Sequence, residues 1–146
     1  MAFALPVMAQ DAIARAANAG FSNMPSVRIV PAITGVCGAD HGVNDRVAYC
    51  TSGSVILVAE DQIGRPELPY LVTHAFGHAV QVKHGVADVA LRTIRARRSE
   101  EVKLRGWVDR QVDCIAGFLY QQAGFGRASL TNWLNSDPFD DIHWGR

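Results

Sequence analysis

The chain has 146 residues, 49% of them apolar and 19% charged, a size at which one domain buries roughly 68–70% of its unfolded surface and holds its own core. That balance excludes intrinsic disorder as the main state. Fourteen Lys and Arg against fourteen Asp and Glu leave a net charge of zero, so the attraction that phosphate backbones demand is missing and nucleic acid is not an expected partner.

No apolar run approaches the about 18 residues that cross a bilayer, so no membrane span is expected. The apolar opening from Ala2 to Met8 lacks a basic segment before it, but Val7-Met8-Ala9 resembles the tail of a signal cleavage site. A longer secreted or membrane-tethered parent is therefore one reading of the amino end.

In chain order, residues 6–19 place apolar groups at helical spacing and stop at Gly20, which predicts a first helix. Residues 27–30, fenced by Pro25 and Pro31, predict a short strand, and residues 54–59 a second, more apolar one. Between them Gly35, Gly38, Gly42, Asn44 and Asp45 read as turns. Cys37 and Cys50 flank this stretch and either close it as a disulfide or stay thiols, which divides an extracytoplasmic from a cytoplasmic expectation. Pro66 and Pro69 suit a helix start, and residues 70–83 continue to Gly85 with Gly77 as the one breaker. Further helices are predicted over residues 86–98, 100–122 and 129–134, the second ended by Gly124. Cys114, inside an apolar helical run, is expected to be a buried free thiol. No internal repeat or low-complexity linker interrupts what reads as one domain over residues 1–146.

The chemistry concentrates in His74-Ala75-Phe76-Gly77-His78. Two imidazoles one helical turn apart share a face and can reach one metal ion, although surface and core histidines show the same spacing. Metalloproteases place a Glu directly after the first His, so that a carboxylate takes a proton from the metal-bound water. Ala75 stands there instead. On a later predicted helix Asp109 and Asp113 are also four apart, so that one can ligate a metal while the other accepts the N–H of a ligating His and fixes its tautomer. The plainer reading is an acidic face paired with Arg105 and Arg110; against it, Val112, Cys114, Ile115 and Phe118 suggest the more buried half of the helix.

These segments resemble a known family. Leu71-Val72-Thr73-His74-Ala75-Phe76-Gly77-His78-Ala79-Val80-Gln81 is similar to the active-site helix of the neutral zinc metallopeptidases, a zincin family that reads approximately His-Glu-Phe/Val-Gly-His-His/Ala-Val-Gln. Asp109-Arg110-Gln111-Val112-Asp113-Cys114-Ile115-Ala116-Gly117 is similar to its second motif, Glu-Leu-Gln-Ala-Asp-Cys-Phe/Leu-Ala-Gly. Cys37-Gly38 and Tyr49-Cys50, before the strand at Val55, are similar to its Cys-Gly and Phe-Tyr-Cys segment. The resemblance covers roughly residues 25–125.

What the resemblance implies is an α+β, zincin-like domain whose small antiparallel sheet packs on the active-site helix and on a second, ligand-bearing helix. His74 and His78 fall on the zinc ligands, Asp109 on a ligating Glu one methylene longer, and Asp113 on the acid behind the ligands. The strand at Val55, Ile56 and Leu57 falls on the edge strand that holds an extended peptide by strand addition. Zn2+ is the implied cofactor and a peptide or protein the implied substrate. Ala75 removes the general base, which commonly costs several orders of magnitude in turnover. The implied activity is peptide-bond hydrolysis, crippled as written; Ala75 marks either an engineered Glu→Ala variant or, alternatively, a natural non-catalytic pseudoenzyme that keeps a zinc-stabilised peptide-binding groove. A metal-free helical interaction domain is the third reading.

The remaining histidines carry less. His84, six residues past His78, lies about 240° around the helix from it and reads as solvated. His41 sits in the glycine-rich loop. His143, in the tail Asp140-Asp141-Ile142-His143-Trp144, is a candidate for steadying a developing oxyanion. Arg92, Arg95, Arg97 and Arg98 are followed by Glu100 and Glu101 and read as a solvated charged face.

Overall fold

The computed structural model describes residues 8–33, 35–36 and 46–136. Its elements are α1 (Ala9–Gly20), β1 (Ser26–Val30), β2 (Val47–Cys50), β3 (Val55–Ala59), α2 (Leu68–Lys83), α3 (Val86–Ala96), α4 (Glu101–Gln122) and α5 (Arg127–Ser136), with two 3-10 turns, Glu60–Gln62 and Arg98–Glu100. The α+β expectation holds. Among the described residues no helix is long and apolar enough to cross a membrane.

The sheet departs from the expected antiparallel one. Its order is β1-β3-β2; β1 runs parallel to β3 with Ser26 opposite Val55, and β2 runs antiparallel to β3 with Val47 opposite Val58. It is a mixed sheet, and β3 is its centre. Side chains of β3 also meet apolar neighbours on both faces: Ile56 and Val58 join the core under the helices, while Leu57 and Ala59 pack with Val30, Ile33 and Ala48 on the other side. Burial on both faces explains why this strand reads as a continuous apolar run rather than an alternation. It also corrects the peptide-binding assignment. The backbone of Val55, Ile56 and Leu57 is paired on both sides, so no free edge remains there for strand addition. β2 has no clear sequence signature, because four residues after a turn-rich stretch are too few to display a period.

α2 is the organising helix. Thirteen of its sixteen residues are buried, the signature of a helix surrounded by protein rather than lying on a surface. It packs against α1, α4, β2 and β3. Leu71, Val72 and Phe76 sit with Ile13 of α1 and Ile56 of β3 in one cluster, each side chain contributing about 1.5–3 kcal/mol by leaving water. Pro69 stands in its first turn, where a missing N–H is not felt. Its far end is set by Gly85, whose φ of 83° is one that a side chain resists.

α4 ends through its backbone. Gly124 takes φ 96°, its N–H bonds to Gln121 O at 3.0 Å, and the N–H of Phe125 bonds to Tyr120 O at 3.1 Å. This pattern satisfies the last carbonyls of a helix and is completed by an apolar contact across the turn, here the rings of Tyr120 and Phe125 at 4.9 Å. The buried stripe of α4 is Val108, Val112, Ala116, Leu119 and Tyr120. Cys114 follows Val112 by two residues, about 200° around the helix, and so is an exposed free thiol rather than the expected buried one. Phe118, also expected inside, is 47% exposed. Cys50 is disulfide-bonded; Cys37, its expected partner, lies outside the described residues.

Candidate metal centre

Helical period places Tyr70, His74, His78 and Gln81 on one stripe of α2, at intervals of four, four and three. That stripe faces α4, which runs antiparallel to α2. At one end the hydroxyl of Tyr70 donates to Asp113 Oδ1 at 3.3 Å. At the other, Nε2 of the fully buried Gln81 donates to the carbonyl of Val108 at 2.9 Å and to Gln111 Oε1 at 3.0 Å. The two helices are thus joined by a polar seam through an otherwise apolar interior. Sequence reasoning singled out the histidines and aspartates but missed Tyr70 and Gln81, although their spacing from His74 was the available signal.

His74 is 5% exposed and His78 is half-buried. Their rings are 4.8 Å apart and tilted by 73°, with the two Nε2 atoms at 3.1 Å. Two ligands of one tetrahedral zinc, each bonded at about 2.0–2.1 Å, lie about 3.3–3.4 Å apart, so the pair is spaced nearly as two ligands of a single ion. The same separation lets one ring N–H donate to the other ring nitrogen. Nδ1 of His74 lies 4.0 Å from Asp113 Oδ1, whose side chain is 44% exposed. That is ion-pair range and longer than a hydrogen bond.

Asp109, one turn before Asp113 on α4, is half-buried, and its Oδ1 is withdrawn from solvent. Among the described residues no three or more His, Cys, Asp or Glu side chains are gathered as a group able to hold an ion. The structure brings together His74 and His78 and sets Asp113 behind His74, with Asp109 one turn from Asp113 on the facing helix.

Ala75 adjoins His74 on α2. It is 5% exposed and belongs to the apolar core with Ile13, Val47 and Ile56. His84 caps α2, is exposed, and rests beside the ring of Phe21 at 6.1 Å, in keeping with its reading as a solvated residue. Arg97 and Arg98 form exposed pairs with Glu100 at 3.6 Å and Glu101 at 4.0 Å, as a solvated charged face does. His41 and His143 lie outside the described residues. A cleft of about 620 Å³ opens between α3 and α4, lined by Val86, Val89, Leu104 and Trp107. None of the seam histidines or aspartates lines it.

On β2, burial pushes the phenol of Tyr49 above its usual range, and its Oη is withdrawn from solvent with no hydrogen-bond partner among the described residues. Comparison with family models, with curated proteins and with solved structures found no match.

Proposed function

We propose that this α+β chain is a zinc-binding protein, with His74 and His78 as two of its ligands. Within that class, our reading is a metallopeptidase domain of the zincin kind that lacks its general base. The observation that carries it is the convergence of the two Nε2 atoms at 3.1 Å from one face of a buried helix. Asp109 is proposed as the third ligand, supported by the backbone grip of Gln81 on the adjoining Val108, and Asp113 as the acid that orients His74.

Zinc, when bound, lowers the pKa of a coordinated water and polarises a carbonyl. The chain's own contribution is to hold the two imidazoles converged. β2, an edge strand that packs against α2, replaces β3 in the proposal as the strand offered to an extended peptide. Ala75 can neither accept a proton from water nor pass one to a leaving amine.

A second reading is a natural, non-catalytic zinc-stabilised peptide-binding protein, favoured by the burial of Ala75 among apolar neighbours. One pair of measurements tests both. Metal analysis of the full chain is expected to find about one zinc, lost in His74→Ala and in His78→Ala; unchanged metal content in both variants overturns the site. Ala75→Glu is expected to raise peptide hydrolysis at least ~10³-fold, about 4 kcal/mol of transition-state stabilisation. Hydrolysis at background in a folded, zinc-loaded Ala75→Glu chain establishes the non-catalytic reading instead.

A further inference from the structure

We propose that Tyr70 is a positioning residue of the histidine pair, its hydroxyl holding the Asp113 carboxylate against Nδ1 of His74. The inference rests on the zinc reading above. Its geometry is a shared atom: Asp113 Oδ1 accepts from Tyr70 Oη at 3.3 Å and is also the oxygen that lies 4.0 Å from His74 Nδ1.

The two partners differ in freedom. Asp113 is 44% exposed at its side chain, so solvent competes for its oxygens. Tyr70 is 2% exposed, and its ring is packed with Tyr120 and Leu130 in a small cluster joining α2, α4 and α5. The ring position, and with it the hydroxyl, is fixed by that packing. A fixed donor favours the rotamer of the acceptor that meets it. An ionised carboxylate has about four acceptor sites, so the phenol leaves capacity for the imidazole.

Tyr70 also precedes His74 by one helical turn, and the two rings are 6.3 Å apart. Phenol and imidazole therefore approach the same carboxylate from one helix. Groups behind a ligating imidazole set its orientation and basicity, and losing one costs about 10–100-fold in metal affinity. Tyr70 acts through Asp113, so a smaller effect, about 3–10-fold, is expected on the same scale.

The test is a double-mutant cycle on the full chain with zinc alone as the probe, its affinity read by chelator competition. Tyr70→Phe keeps the ring and removes one oxygen, and thermal unfolding of each variant checks that the cluster with Tyr120 and Leu130 is intact. In the unaltered background Tyr70→Phe is expected to weaken zinc binding about 3–10-fold. In the Asp113→Asn background it is expected to change affinity by less than about 2-fold, because the two groups act as one unit. Equal weakening in both backgrounds, or none in the first, overturns the proposal while leaving the zinc site standing. A chain that takes up no zinc at all removes both.

Discussion

Gly77 lies so close to Val112 that a Cβ placed on the glycine would sit 3.1 Å from both Cγ1 and the backbone oxygen of Val112. The missing side chain lets α2 and α4 approach at the level of the histidine pair. His78 adjoins Gly77, and Asp113 adjoins Val112, so the closeness of these two backbones governs how far the acids of α4 stand from the imidazoles of α2.

Gly77→Ala sets two effects against each other. Alanine is about 1 kcal/mol better in a helix interior, but the neighbour it meets is a helical carbonyl that cannot swing aside, and overpacking costs about 1–3 kcal/mol. The expected outcome is a net loss of about 1 kcal/mol, read from the denaturant midpoint. A higher midpoint would mean that the helices part freely.

Asp113→Asn keeps the size of the side chain and removes its charge. Zinc affinity is expected to fall about 10–100-fold while the site still fills at saturating metal. Titration by chelator competition gives the answer, and an unchanged affinity separates Asp113 from His74.

Tyr49 offers a pH test remote from the histidines. Its phenol is raised above the ordinary value of 10.0 by burial. Below pH 10.0 the unfolded and folded chains both hold this proton, so Tyr49 adds no slope; above it the unfolded chain releases the proton first, and stability falls as pH rises toward the folded value. Tyr49→Phe is expected to abolish that part of the alkaline slope. At neutral pH it should be neutral or stabilising by about 1 kcal/mol, since it removes a buried hydroxyl that has no partner among the described residues. Destabilisation at neutral pH by more than that amount would show that the hydroxyl is held.

Thiol titration addresses the cysteines. The unfolded, unreduced chain is expected to expose one reactive thiol, Cys114, which is free and already accessible in the fold. The native chain should therefore react at the same site without unfolding. Three reactive thiols in the unreduced chain would contradict the bonded state of Cys50.

Local features are readable from the residues alone. Spacing and punctuation place seven of the eight regular elements, and Gly85 and Gly124 act as the terminators that their positions suggest. The shared face of His74 and His78 follows from the helical period, which needs no tertiary information. Other features required the assembled molecule. Which strand lies in the middle of the sheet, the mixed pairing, and β2 itself depend on contacts between segments far apart in sequence. The apolar run of β3 is compatible with an edge strand facing the helix, and only its pairing with β1 on one side and β2 on the other shows it to be central. The exposure of Cys114 and the burial of Ala75 escape the sequence for the same reason. Each is decided by which side of a helix the neighbouring elements cover, and a helix with apolar residues on several sides does not announce that side. The juxtaposition of Tyr70 with Asp113 and of Gln81 with Val108 joins residues 43 and 27 positions apart, and only the antiparallel packing of α2 on α4, closed at Gly77, brings them within hydrogen-bond reach.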